Sequence, residues 1–390
     1  MFFKRATSLT ILTTCGKNMT LVRRLSDDAL KKSKPAANEI KKSVFISQST
    51  DVFTNLALEQ WMFKNMDFTH KHILMLWRND PCVVIGRHQN PWIETNVDEL
   101  KNQGVKIARR NSGGGTVYHD LGNLNMTFFT PQKFYNRRYN LEIISRALFR
   151  EWGLDAKVNK REDIVVRDSK ISGTASKLTR TNCYHHCTLL VDVNKSALGN
   201  ALLKKDLGIE SNATKSIPSP VLNLKDENRH VNMNKLMTAV GWEYLRTPAT
   251  ELIDNGMKYA SQQNGFKYIN PTEGWFPELN NIREEFASWD WTFGKTPKFT
   301  SNIYLPTVHD EKIKIKLSMI IEGGKIQDIV LQIPPGLSTM GFEGEARVYI
   351  AELSSLKGQP FSQNAVDLLR KMMPYQESKD LGKVLVESVN

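Results

Sequence analysis

The first 26 residues of this 390-residue chain contain no Asp or Glu. They carry Lys4, Arg5, Lys17, Arg23 and Arg24 among serines, threonines and scattered apolar residues. Basic, hydroxylated, amphipathic and acid-free is the composition of a mitochondrial transit peptide. Threonines interrupt the apolar run after Lys4-Arg5, so a secretory signal fits less well. Long hydrophobic runs are missing throughout: none approaches the roughly 20 residues of a membrane span, and no membrane role is expected. Cysteine is scarce. Cys15, Cys82, Cys183 and Cys187 are the full set, one of them in the leader, so no disulfide framework is expected and a reducing interior such as the mitochondrial matrix is compatible.

Standard catalytic templates are absent as well. The chain has no Walker A phosphate loop, no Gly-x-Gly-x-x-Gly, no Gly-x-Ser-x-Gly elbow and no His-Glu-x-x-His. It also lacks zinc-finger spacing, an aromatic RNP-like strand and a basic-region helix with heptads, which argues against nucleic acid. The formal charge is +12, of which the leader holds five, leaving +7 spread along the remainder. Diffuse positive charge of this kind fits attraction to an acidic protein partner.

What is present reads as an ordinary globular chain, 40 % hydrophobic and 24 % charged. Its length favours one large and one small domain. We assign residues 1–26 to the transit peptide, 27–43 to a linker, 44–278 to a catalytic domain and 279–390 to an accessory domain. Asp51 or Thr50 can cap a helix with Phe53, Leu56, Ala57 and Trp61 at helical spacing. Ile73 to Trp77 and Cys82 to Ile85 read as a strand pair joined by a turn at Asn79-Asp80-Pro81. Further strands are expected at Asn125 to Phe129, Ile164 to Val166 and Thr188 to Val191, with a helix over Leu141 to Trp152. Phe266 to Phe276 reads as the linker between domains, followed by a helix over Asn281 to Trp291. A hairpin is expected from Lys312 to Ile333 about Gly323-Gly324, then helices over Glu345 to Leu356 and Ala365 to Met373. Helices mixed with short strands argue an α+β fold around a mixed, largely antiparallel sheet.

Three stretches carry chemistry. Arg109-Arg110-Asn111-Ser112-Gly113-Gly114-Gly115-Thr116-Val117-Tyr118-His119-Asp120 leads two cations into three glycines. Glycines in series bring bare N–H groups against a ligand, and an adjacent Arg can add a forked contact to a phosphate. The same run could also be a glycine-rich hairpin with a solvated Arg pair. Lys170-Ile171-Ser172-Gly173-Thr174-Ala175 reads as a lysine entering a small-residue loop, aimed at a cavity or simply exposed before a turn. Cys183-Tyr184-His185-His186-Cys187 has metal-ligand residue types. As a strand, however, it puts His186 opposite Cys183, His185 and Cys187, with no second cluster to complete a site, so no metal is assigned.

Taken in this order, and with Gly86-Arg87-x-Gln89-Asn90 upstream and His185-His186-Cys187-Thr188-Leu189-Leu190 downstream, these stretches resemble the lipoate–protein ligase family. The family lies in the biotin/lipoate ligase superfamily, and the resemblance is closest to its mitochondrial lipoyltransferases. It covers essentially the whole chain after the leader. It implies a large biotin-ligase-like catalytic domain and a small C-terminal accessory domain. It also implies transfer of a lipoyl group to one lysine of the lipoyl domains in 2-oxoacid dehydrogenase E2 subunits, through lipoyl-AMP or the lipoylated glycine-cleavage H protein. Lipoyl-AMP is then a substrate, no cofactor is tightly bound, and the chain is a monomer in the mitochondrial matrix. By motif, the family's site falls on Arg110, Gly115, Thr116, Val117, Tyr118, Arg161, Lys170, Thr188, Ile217 and Ser219, with Lys170 catalytic.

One departure bears on the donor. ATP-using bacterial ligases of the family read Arg-Asn-Asp where this chain reads Arg161-Glu162-Asp163. A carboxylate beside a polyphosphate adds repulsion of roughly 4 kcal/mol per charge pair at about 4 Å and an effective dielectric of about 20. This favours a transferase of preactivated lipoyl groups over an ATP-dependent ligase, which alone would need Mg2+. An inactive lipoyl-domain binder is the reading outside enzymes, and the presence of both Arg110 and Lys170 speaks against it. An octanoyltransferase would need a Pro-Cys-Gly context that the chain lacks.

Overall fold

The structure is a computed structural model that describes residues 40–306, 314–332 and 355–372. The leader, most of the first linker and the expected helix at Glu345 to Leu356 fall largely or wholly outside the described residues. A six-stranded mixed sheet organises the chain, in the order β10-β11-β6-β2-β1-β13. Its members are β1 (Lys41–Ser47), β2 (Lys71–Trp77), β6 (Asn123–Pro131), β10 (Ser172–Leu178), β11 (Asn182–Leu190) and β13 (Phe266–Ile269). The four strands from β10 to β2 pair antiparallel, whereas β1 pairs parallel with both β2 and β13.

Both faces of this sheet are covered, which is why β2 is buried along six of its seven residues. Side chains alternate across a strand, so Leu74 and Leu76 go to one layer and Ile73, Met75 and Trp77 to the other. The first layer contains two long helices, Arg137–Trp152 (α2) and Met233–Arg246 (α3), with Ile144, Leu148 and Val240 in one core with Met126 and Phe128. The second contains Val52–Asn65 (α1) and Leu279–Ala287 (α4), where Leu56, Met62, Leu279 and Phe286 pack with Phe129. Asp51 caps α1 by accepting from Thr54 N at 3.0 Å, and Gly153 ends α2 in a left-handed conformation.

Two small sheets complete the site region. One has the order β4-β3-β5, from Lys106–Arg109, Cys82–Ile85 and Val117–His119. The other is β7-β8-β9, from Lys157–Val158, Ile164–Val166 and Ser169–Lys170. A four-stranded sheet, β12-β14-β15-β16, gathers Ile209–Ser211 with the C-terminal strands Phe299–Pro306, Lys314–Glu322 and Lys325–Gln332. Trp92 and Leu207 enter the core of that sheet, which also takes Ala365 and Val366 from the helix Gln363–Met372.

The α+β class and mixed sheet match the expectation from sequence, and three local expectations are corrected. β2 and β3 do not pair with each other: they belong to different sheets, because all four residues of β3 are buried between β4 and β5. Lys170 to Ala175 is strand rather than loop, since Ser172–Leu178 pairs along β11. Phe266–Ile269, assigned to the interdomain linker, is instead the edge strand β13 lying parallel to β1.

Behind the sheet, Glu243 is fully buried and is neutralised by Arg146, Arg150 and Arg246. Lys42 has no such partner among the described residues. Its ammonium donates to Tyr244 O at 3.0 Å and to Thr247 O, and burial, reinforced by Arg146, lowers it to about 7. The unfolded chain keeps this proton up to 10.5, so between about 7 and 10.5 it binds more protons than the folded one, and stability rises with pH across that window. Lys42→Met cannot titrate there. Urea midpoints measured from pH 6.5 to 9.5 should therefore show the native protein gaining on the variant as pH rises, and parallel curves would refute the assignment.

Candidate functional site

A cavity of about 350 Å³ opens between the large sheet and the small β4-β3-β5 sheet. Its floor is read directly from strand register. Gly173 pairs with Thr188, Thr188 with Asn125, and Asn125 with Trp77, so four adjacent strands place four residues in one row on the same face. All four line the cavity. The row spans three strand spacings, roughly 14 Å. Leu56, Val84 and Val117 add apolar wall beside it, and Thr188 Oγ1 accepts from Gly173 N at 2.9 Å.

The roof is the glycine loop. Its backbone must pass so close to the preceding turn that a Cβ on Gly86 would lie 2.1 Å from Gly114 O, and Gly114 itself has φ +87°. The two arginines hold this loop rather than project from it. Arg110 Nε donates to Ser112 Oγ at 2.9 Å, while Nη2 donates to Gly113 O at 2.6 Å and Gly115 O at 2.7 Å, and Nη1 to Val84 O at 3.2 Å. Burial lowers its guanidinium to about 10, still cationic at neutral pH. Arg110 lines the cavity, but the free phosphate fork expected from sequence is spent on carbonyls.

Gln89 fastens the roof to a second loop. Its Oε1 accepts from Gly86 N and Thr116 Oγ1, and its Nε2 donates to Ser216 Oγ and Thr214 O. Ser216 Oγ in turn accepts from Thr116 N at 2.8 Å, and Ser216 N donates to the buried Glu94 at 3.1 Å. Residues 214–217 are thereby drawn against Gly115.

Three further cations border the space. Lys170 Nζ is 2.8 Å from Asp163 Oδ1, and the Lys170 backbone is anchored to Pro220 and Leu222. Arg161 and Lys215 also line the cavity, and neither has an ion-pair partner among the described residues. Glu162 does not face it. This residue sits at φ 60° and its carboxylate meets Arg137 at 2.6 Å, so the repulsion argued from sequence has no geometric basis.

Of the ten residues assigned from sequence, Arg110, Gly115, Thr116, Val117, Arg161, Lys170, Thr188 and Ile217 line the cavity. Ile217 stands at the mouth, 71 % exposed. Tyr118 does not: next to Val117 on β5, it points to the opposite side and packs with Val83, Ile85 and Leu190. Ser219 is not among the lining residues. Sequence reasoning missed Gln89 as the fastener, Asp163 as the partner of Lys170, and Lys215 and Ser216 as wall residues. Gln89 and Asp163 lie inside motifs already quoted, and Lys215 and Ser216 directly precede Ile217, but only their distant partners reveal the roles. His186, in the Cys-His stretch, contacts Ser112 Oγ and Glu59 Oε1, each at 2.8 Å, while His185 contacts Thr174 Oγ1 on the other face.

Gln89→Leu removes four contacts and leaves Ser216 and Thr116 without their shared partner. Trypsin should then cut after Lys215 about tenfold faster than in the native chain, the loss of about 1.4 kcal/mol of loop closure. Peptide mapping over a digestion time course measures this, and unchanged cleavage would refute the fastening role.

Residues 51–244 match the family model for the lipoyl protein ligase A/B catalytic domain. The human mitochondrial lipoyl amidotransferase LIPT1 is 44 % identical over 292 residues, 74 % of this chain and 75 % of that protein. Lipoate-protein ligase A of Psychrobacter cryohalolentis is 38 % identical over 68 % of this chain and 76 % of its own length. Among solved structures, P. falciparum LipL1 in complex with lipoate superposes with a TM-score of 0.56 at 26 % identity, covering 89 % of this chain and 98 % of that one. On these likenesses, together with a glycine-roofed cavity bordered by Lys170, the chain belongs to the family of lipoate-protein ligases and lipoyl amidotransferases.

Proposed function

We propose that this chain, an enzyme of lipoyl transfer in the mitochondrion, holds lipoyl-AMP in the cavity with its mixed anhydride at Lys170. The acyl chain then runs along the floor row toward Trp77, and the nucleotide lies under residues 115–117 and 214–217. The observation that carries this reading is one continuous space in which the floor row and the apolar wall of Leu56, Val84 and Val117 adjoin Lys170, Arg161 and Lys215, the last two without an ion-pair partner among the described residues. An acyl-adenylate needs that combination of a dry slot for the acyl group and positive charge for the phosphate.

The acceptor is a lysine of a lipoyl domain, in the E2 subunits of 2-oxoacid dehydrogenases. Its neutral amine attacks the anhydride carbonyl, forming the C–N bond of the amide. The C–O bond to phosphate breaks, AMP leaves with the electron pair, and the amine nitrogen gives up its proton. Lys170, with one N–H on Asp163, has further donors for the oxyanion and the departing phosphate. Removing such a donor costs roughly a hundredfold or more in turnover. Lys170→Ala should lose transfer of at least that size from lipoyl-AMP to an apo lipoyl domain while circular dichroism stays native. Near-normal lipoylation, read by mass spectrometry, would defeat the assignment.

We further assign the donor as a preactivated or protein-bound lipoyl group, lipoyl-AMP or the lipoylated H protein, with the chain acting as a monomer in the matrix. Support comes from the human amidotransferase relative, 44 % identical to this chain, against 38 % for lipoate-protein ligase A of Psychrobacter cryohalolentis. Asp163, the carboxylate adjoining this end, is already engaged by Lys170, which leaves it less available for a magnesium ion. Apo lipoyl domain given lipoyl-AMP should be lipoylated readily, and the same domain given lipoate, ATP and Mg2+ should remain largely unmodified. Equal rates from both mixtures would establish a full ligase instead.

A further inference from the structure

At the Trp77 end, the cavity wall contains hydrogen-bonding groups that the protein itself leaves unused. His119 is 2 % exposed, lines the cavity, and lies with its ring edge-on to Trp77 at 6.3 Å. Its tautomer is set by a chain of amides. Asn55 Nδ2 donates to Asn79 Oδ1 at 2.9 Å, which turns Asn79 Nδ2 toward His119 Nδ1 at 3.0 Å. Nδ1 must accept there, so the ring proton is on Nε2. Burial keeps the imidazole neutral, lowering it to about 3, with Arg110 and His186 acting in the same direction.

His119 Nε2 has no hydrogen-bond partner among the described residues. Asn125, also 2 % exposed and lining the cavity, repeats the pattern: its Oδ1 accepts from Asn123 Nδ2 at 3.1 Å and its Nδ2 is unpartnered. Unmatched buried donors are uncommon in folded proteins and invite an explanation. Among the neighbouring polar groups Asn123 Oδ1 is likewise unpartnered, whereas Trp77 Nε1 donates to Thr127 Oγ1, which donates to Glu59, which also takes His186.

The floor row measures what would arrive at these donors. From Gly173 on β10 to Asn125 on β6 is two strand spacings, roughly 10 Å, about the length of an extended eight-carbon acyl chain. With its carbonyl at Lys170, such a chain ends beside Asn125 and His119. A dithiolane brings two polarisable sulfur acceptors to that place, weak but better than hydrocarbon for a buried N–H. A plain octanoyl chain brings only C–H groups and leaves both donors unmatched. A site with buried hydrogen-bonding groups rejects the analogue that cannot use them.

We propose that His119 and Asn125 are specificity-determining residues that read the sulfur end of the acyl group and favour lipoyl over octanoyl. The proposal rests on the lipoyl-AMP reading above and adds the reason for discrimination between chains of equal length. It is tested by measuring kcat/KM for lipoyl-AMP and octanoyl-AMP with one apo lipoyl domain. The native chain should favour lipoyl by about tenfold or more. His119→Phe and Asn125→Leu should each bring the ratio severalfold closer to one, through a higher KM for lipoyl-AMP with octanoyl transfer retained. Because the ratio is internal to each preparation, a partly unfolded sample does not distort it, and Asn125→Leu leaves the Asn79 relay untouched. A native ratio near one, or ratios unchanged in both variants, overturns the proposal. Calorimetric dissociation constants for the two adenylates give the same ratio without turnover. A chain that binds lipoyl-AMP selectively yet transfers neither group would defeat the transfer reading and sustain this one.

Discussion

Arg109 is a cation sealed inside the protein with no ion-pair partner among the described residues, and the site depends on how its charge is met. Nη1 donates to the carbonyls of Gly86, Arg87 and Gln89. Nε and Nη2 reach Trp291 O, Thr292 O and Thr296 Oγ1, while the indole of Trp291 donates back to Arg109 O at 2.7 Å. Three segments far apart in sequence are thus held around one side chain. Hydrogen bonds to a charged group are each worth about 1.5–3 kcal/mol, and every carbonyl here would be stranded without it. A lysine could not fork in this way.

Once Arg109 fixes the turn at 86–89, the rest of the roof follows in order. The turn places Gly86 under Gly114, Arg110 gathers the carbonyls of the glycine loop, and Gln89 ties that loop to residues 214–216. The floor needs no such device, because strand register alone lines up Gly173, Thr188, Asn125 and Trp77. A rigid roof over a flat row makes a slot suited to a long acyl chain. Lys170, Arg161 and Lys215 border one part of it, where Asp163 keeps Lys170 in place, and the cation of Arg110 is held in the roof by carbonyls.

Much of this was legible in the sequence. The helix over Val52–Asn65, the strand at Asn123–Pro131 and the hairpin of Lys314–Glu322 with Lys325–Gln332 follow from periodicity and turn residues, because local preference and tertiary need agree there. Fully buried strands were harder. Cys82–Ile85 is apolar on both sides, so its pattern does not name its neighbours, and it pairs with strands on either side rather than with β2. The Lys170 stretch, rich in small residues, has weak strand preference of its own and is strand because β11 supplies a partner.

By itself, the sequence determined the chemical inventory: a glycine loop, a following lysine, a threonine strand, a leader without acid and a scarcity of cysteine. It also determined which motifs belong together, and through them the family. Only the tertiary structure decided which of those groups are free to act. Arg110 is consumed by carbonyls, Tyr118 turns into an apolar cluster, Glu162 turns away to Arg137, and His119 keeps an unused N–H. The physical reason is that a donor's availability depends on every partner within about 3 Å, and those partners lie tens to hundreds of residues away along the chain.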